Sequence, residues 1–527
     1  MTIQWKSVPI SRRGFMQGGS ALAIAAALPA AFPRSGHAAE GGTLRVRTYA
    51  DMRTLDPAFS QGVPDEEIQA PIYNKLIQYK PGRNWDWQLD AAGMIEQVDA
   101  THIKFALRGD IGFTNGFGMM TADDVKFSFE RVVDPALGAS NKPDMGPLSH
   151  VEVTSEREGV IVLKEPFAPL WTIALPYITG NIVSRKAVEA AADKRIGTDP
   201  LAESGPYLRR EWRPKEKTVL VRNPDWNGPA PVFDTIELLP IDDENTAEIA
   251  FEAGEIDFTR VSLGSVARLR EGVPNGGMLL EYPSLYYVWV GMNLDHPKLG
   301  NKKLRQAIQH AIDVPTILDA AYFGAAEPST GIIAPGLIGH REKALVPPEA
   351  DVERAMQLLA ESGESDVSLT LDVLNKTANT TAAQVIQANL AAIGIAVEIN
   401  VHEGATFWTL GDETAGGSWK DLQLVLNRFS MTPDPYYATA WFTTEQVGIW
   451  NWERFGSEEF DRLNAEAARE TDIATRDTMY RRAQDLMEES GAYRFITHEA
   501  TPVVHAASVM PALRPDGLPL LRYFGKA

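Results

Sequence analysis

The chain has 527 residues and a mass of 57.9 kDa, with 44% hydrophobic and 23% charged residues, a globular composition that excludes a fibrous or wholly disordered protein. Its 70 acidic against 50 basic residues leave a net charge of -20, which repels phosphate backbones and anionic membranes and argues against nucleic acid as a partner. Cysteine is absent, so disulfides, thiolate metal sites and cysteine nucleophiles are excluded together.

Residues 1–39 carry Lys6, Arg12, Arg13 and Arg34 and no acid, and the apolar run from Gly18 to Phe32 is too short to span a bilayer. This is a signal-peptide pattern. The string SRRGFM (11–16) resembles the twin-arginine export signal, with Met16 where Leu is usual, and small residues at 36–39 offer cleavage near Ala39 or Glu40. No later segment reaches about 18 continuous apolar residues, so the mature protein is expected to be soluble outside the cytoplasmic membrane.

After the leader, Leu44, Val46 and Thr48 alternate with Arg45, Arg47 and Tyr49, which predicts a strand broken by Asp56 and Pro57. In TADDVKFSFERVV, Thr121 reads as the N-cap and Asp124 as its capping-box partner, with Val125, Phe129 and Val132 on one helical face. Alternation from Val151 to Leu163 predicts a hairpin turning at Glu158-Gly159. Further on, 285–294 reads as a strand and 301–313 as a helix with a stripe at Leu304, Ala307, Ile308, Ala311 and Ile312. A helix over 378–393, a stop at Gly394 and an alternating strand from Ile395 to Val401 make one unit of an α/β sheet. Two acidic amphipathic helices are predicted at about 457–470 and 473–490.

In order, these segments resemble the family 5 extracellular solute-binding proteins, the receptors of ATP-driven peptide, nickel-chelate and opine importers. The resemblance rests on GGTLRV (41–46), TLDP (54–57), the stretch 105–132, SGPY (204–207), RNPDW (222–226), GEID (254–257), KKLRQAIQHAID (302–313), AMQLLAESG (355–363), IGIAVEI (393–399), PDPYY (433–437) and RDTMYRRAQDLMEE (476–489). It implies an α/β, two-lobe periplasmic binding protein fold of type II, in its large three-subdomain variant, with a hinge between the lobes. Lobe I is then expected over 40–283 plus 501–527, with an inserted subdomain at about 80–196, and lobe II over 284–500.

No HExxH, Walker A or G-x-S-x-G string occurs and the nine histidines are scattered, so no catalytic residue, metal site or cofactor is assigned. A binding cleft instead asks for rigid aromatic surfaces and a few orienting polar groups. The resemblance places Tyr49 and Met52, after the first strand, and Trp408, Trp419, Trp450 and Trp452 along the cleft. It also singles out NRFSMTPDPYY (427–437), with Arg428, Phe429, Met431 and Tyr436 as candidate ligand contacts. In the family's peptide receptors an aspartate in this stretch meets the ligand's α-ammonium. Met431 holds that place and Arg428 the place of a tryptophan. A buried ammonium deprived of its counter-charge loses roughly 2–5 kcal/mol, and Arg428 offers instead either a planar guanidinium fork open to a carboxylate or phosphate or an ion pair with one of the chain's many acids.

The function expected from these residues is that of a monomeric periplasmic receptor. It would capture a short peptide or a peptide-like or opine-like polar solute by hinge closure, and pass it to the permease subunits of an ATP-binding-cassette importer. A metal-chelate or haem receptor of the same family is the alternative, disfavoured because 427–437 contains no histidine. A secreted hydrolase and a chaperone-like peptide holder stand as readings from other classes.

Overall fold

Leu44 and Val46 are fully buried on one side of the strand Gly41–Thr48, while Thr43 is exposed and Arg45 half-buried on the other. The computed structural model describes residues 41–60 and 62–527, and the export-signal reading of residues 1–39 lies outside the described residues. Two of the short sequence motifs meet here. Arg45 of GGTLRV clasps Asp257 of GEID with Nε at 3.1 Å and an outer nitrogen at 2.7 Å, tying the first strand to the start of Phe258–Arg260.

This strand belongs to a ten-stranded sheet that runs through the molecule in the order Tyr207–Arg213, Lys217–Arg222, Phe233–Pro240, Gly41–Thr48, Phe258–Arg260, Tyr493–His505, Met278–Met292, Leu424–Ser430, Ser368–Leu374 and Ala396–His402. The result is a mixed α/β, two-lobe fold in which two long antiparallel strands, Met278–Met292 and Tyr493–His505, cross from one lobe to the other. Their ladder is continuous from Met278 opposite His505 to Pro283 opposite Ala500, and resumes at Tyr287 opposite His498. Ser284, Leu285 and Tyr286 therefore stand against Glu499 alone. Such an excess on one strand bends and twists the pair, and Pro283, having no N–H, donates no hydrogen bond to the ladder where it breaks. Beyond the break, Tyr286 to Met292 pairs with Leu424–Ser430, which carries the sheet into the second lobe.

A separate antiparallel sheet of four strands, Ala92–Gln97, His102–Leu107, Glu158–Leu163 and Leu148–Val153, packs beneath helix Ala122–Val133. Val125, Phe129 and Val132 of that helix share a core with Phe105 and Ile161. The expected capping box forms: the Thr121 backbone N–H donates to Asp124 at 2.9 Å and its hydroxyl at 2.8 Å. The hairpin turn, however, lies at 154–157, and Glu158 and Gly159 are already in the returning strand. Gly159 serves close approach, because a Cβ there would meet the Glu152 carbonyl oxygen and the Phe105 ring, each at 2.7 Å. Gly159→Ala should accordingly lower the unfolding free energy by about 1–3 kcal/mol through overpacking. Urea denaturation checks this, and an unchanged midpoint would show that the strands can part to admit a methyl group.

In the second lobe, Leu304, Ile308 and Ala311 of helix Lys302–Ala311 share a core with Leu369, Leu371 and Ile386. The helix stops short of the expected 313 because Asp313 caps a new one, Val314–Tyr322, accepting the Thr316 N–H at 3.0 Å, with Pro315 in its first turn. Helix Thr377–Ala391 is followed by Gly394 at φ +84°, a left-handed conformation suited to glycine, and by Ala396–His402, parallel to Ser368–Leu374. The acidic helices form as Glu458–Arg469 and Ile473–Glu489. No helix among the described residues is long and apolar enough to cross a membrane.

Candidate functional site

A cavity of about 640 Å³ lies where the strand ladder breaks, within the range of about 300–1,000 Å³ usual for small-molecule sites. One wall comes from the end of the first strand, with Arg47 and Tyr49, from Val63 and Glu67 of helix Val63–Ile72, and from Arg260. Facing it are Ser284 to Tyr286, the residues of the ladder break, and Ser430 to Thr432 at the end of Leu424–Ser430. The segment 514–519 and the loops bearing Asp144 and Thr179 close the remaining sides.

Charges of both signs line this space. Arg514 is held by a two-pronged contact to Asp516 at 3.1 and 2.8 Å and by an ion pair with Glu66, with the Tyr177 ring 5.0 Å from the guanidinium carbon. Arg47 is buried and donates to the carbonyls of Ile241 and Asp242, both at 2.7 Å; burial lowers its pKa. Arg260 is partly open and approaches Glu244 at 3.4 Å. Of the acids, Asp144 accepts the Thr179 hydroxyl at 2.6 Å, and burial raises its pKa to about 6. Glu67 is raised to about 8, chiefly by burial.

Of the residues expected from the sequence, Tyr49 and Met431 line the cavity. Met431 is buried, its N–H donating to Leu285 at 2.9 Å across the ladder break. Trp408, Phe429 and Trp450 come together elsewhere on the second lobe: Phe429 stacks on Trp408 at 6.2 Å and takes the edge of Trp450 at 5.9 Å. Trp408 and Trp450 remain 38% and 37% exposed. The others make contacts within the protein. Met52 is buried in the first-lobe core, and Trp452, 2% exposed, packs with Phe407 and Val425. Trp419 lies under the Arg454 guanidinium at 4.3 Å, and Tyr436 meets the edge of Phe167 at 6.1 Å.

Arg428 is not among the residues lining the cavity. Its fork, expected to be open to an anion, is closed by Glu499 at 2.6 and 2.7 Å, and its flat face lies over the Tyr286 ring at 3.6 Å. The cause is the ladder break. Glu499, facing three residues alone, is free to reach the guanidinium on the strand beyond Met278–Met292.

The model for bacterial extracellular solute-binding proteins, family 5 Middle, matches residues 91–448. The chain belongs to this family. The family 5 protein is 26% identical to the probable D,D-dipeptide-binding periplasmic protein DdpA of Escherichia coli K12, over 90% of this chain and 92% of that one. It is 25% identical to the periplasmic oligopeptide-binding protein OppA of the same organism, over 92% of each. Among solved structures, the periplasmic binding protein DppA of Helicobacter pylori in complex with peptide STSA superposes with a TM-score of 0.71 at 24% identity, covering 92% of this chain and 98% of that one.

Sequence reasoning about the family 5 protein missed Glu67, Asp144, Arg47, Arg260 and the Arg514 cluster. Acids at a helix start have an ordinary explanation in the helix dipole, and a single strand gives no sign that Arg47 points inward. A usable signal was present: Asp65, Glu67 and Gln69 are polar residues on a short helix whose remaining positions are largely apolar.

Proposed function

We propose that this family 5 protein is the periplasmic receptor of an ATP-binding-cassette importer, exported by the twin-arginine-type signal at 11–16. It captures a short peptide or a peptide-like or opine-like polar solute and delivers it to the permease. Binding and release are its whole task, with no chemical change to the solute, and it acts as a monomer. The lobes divide as 40–283 plus 501–527, with a subdomain inserted at about 80–196, and 284–500, and they close about the break between Pro283 and Tyr287. Tyr49 and Met431 contact the solute directly, and the Trp408, Phe429 and Trp450 cluster offers a separate apolar surface on the second lobe.

One observation carries this reading: the cavity sits at the ladder break between the two crossing strands and presents charges of both signs. The names of DdpA and OppA, as dipeptide- and oligopeptide-binding proteins, narrow the solute class. A thermal-shift screen of di- and tripeptides, their D-residue forms and opine-type conjugates tests it. A true ligand at a hundredfold excess over its dissociation constant should stabilise the protein by about 2.7 kcal/mol. Absence of any shift across that panel would overturn the peptide-like class.

A further inference from the structure

Helix Val63–Ile72 carries three buried polar side chains at 65, 67 and 69, and two of them are engaged. Asp65 accepts the Arg53 N–H at 2.7 Å, and Gln69 accepts from Asn181 at 2.9 Å while donating to Ser60. Glu67 is different. It is 8% exposed, lines the cavity, and its Oε2 has no hydrogen-bond partner among the described residues. A buried carboxyl in that condition is costly unless something else completes it, and the cavity is the side from which a partner can come. Met431, at the place where the family resemblance implies an ammonium-binding aspartate, also lines the cavity but offers no charge.

We propose that Glu67 is the counter-charge that receives the primary ammonium group of the solute, moving the cationic subsite from the 427–437 segment of the second lobe to the first helix of the first lobe. The inference rests on the peptide-like reading of the cavity and names how that solute is held. The groups acting on Glu67 fit the role. Burial keeps the empty carboxyl protonated at neutral pH, with a pKa of about 8; Glu66 on the same helix pushes it up, while the Thr48 hydroxyl and the cations of Arg47 and Arg514 pull it down. Tyr49, at the end of the first strand, is a further titratable neighbour, and Arg260, Asp144, Asp516 and Tyr177 line the same cavity. Both cations are already engaged, Arg47 by backbone carbonyls and Arg514 by Asp516 and Glu66. An arriving ammonium would therefore ionise Glu67 and release its proton to solvent.

Calorimetry on the mature protein tests this with di- and tripeptides bearing a free α-ammonium and the same peptides N-acetylated. Wild type should prefer the free form by about 10²-fold or more, and Glu67→Gln should lose about 10²-fold for the free form while leaving the acetylated form unchanged. Glu67→Asp, which keeps the charge, should retain part of the preference. Repeating the wild-type titration at pH 7 in buffers of different ionisation enthalpy should show about one proton released per peptide bound. If free peptides bind wild type and Glu67→Gln equally well, the Glu67 assignment falls and the receptor reading stands. If peptides of neither form bind wild type, the peptide-like reading falls and takes the assignment with it. Should Glu67→Gln fail to fold, the wild-type proton count decides, and no proton release would overturn the assignment.

Discussion

Asp434→Asn is expected to lower the unfolding free energy by about 3–5 kcal/mol, because it strips a buried guanidinium of its only ionic partner among the described residues. Asp434 Oδ1 lies 2.8 Å from an outer nitrogen of Arg476 and accepts the Tyr436 N–H at 2.9 Å, while Oδ2 accepts the Thr172 hydroxyl at 2.6 Å. Both charged side chains are almost wholly enclosed, at 0% and 5% exposure. Arg476 is further fixed by its Nε donating to the Ala467 carbonyl at 2.7 Å, so it cannot swing out to water without breaking that bond. Two motifs that carry the family resemblance, PDPYY and RDTMYRR, are thus partners in one ion pair. Urea denaturation of the variant measures the effect. A loss under about 1 kcal/mol would mean that the guanidinium finds water in the folded state. Replacing both residues by apolar ones of similar volume should cost much less than the single change.

Arg514→Met should be comparably severe, at about 3–5 kcal/mol, and should also disturb binding. The side chain is 2% exposed and holds Asp516 and Glu66 together, with Trp85 and Tyr177 on its flat faces at 5.6 and 5.0 Å from the guanidinium carbon. Without it, the carboxylates of Asp516 and Glu66 are left near Glu67 with no cation between them. Arg514→Lys should recover only part of the loss, since one ammonium cannot grip both carboxylates in the plane of a fork. Thermal denaturation with and without a bound peptide separates the two consequences. Equal melting temperatures for wild type and Arg514→Met would remove the cluster from its supporting role.

Periodicity carried most of the fold. The stripe at Leu304, Ile308 and Ala311, the Thr121 cap and the stop at Gly394 are local signals, and local physics decided those elements. The errors came where a distant neighbour decided. Gly159 reads as a turn residue until the Phe105 ring beside it is known, and Val401 reads as inward-facing although, on the last strand of the sheet, it is 50% exposed. The site was legible only in outline. Tyr49 and Met431 could be placed from their motifs, but Arg428 could not be distinguished as paired or free, because Glu499 lies 71 residues away in the chain. Glu67 was hidden for the opposite reason. An acid on the first turns of a helix has an ordinary explanation in the helix dipole, and its lack of a partner appears only in three dimensions.

We propose that the two lobes close on a solute at the break in the crossing strands. Small-angle scattering, recorded with and without a peptide or peptide-like compound that raises the melting temperature, tests it most directly. Closure about Pro283–Tyr287 and the facing Glu499 predicts a smaller radius of gyration in the bound state. An unchanged radius at saturating concentrations of several genuine ligands would contradict the hinge and leave a rigid binding protein in its place.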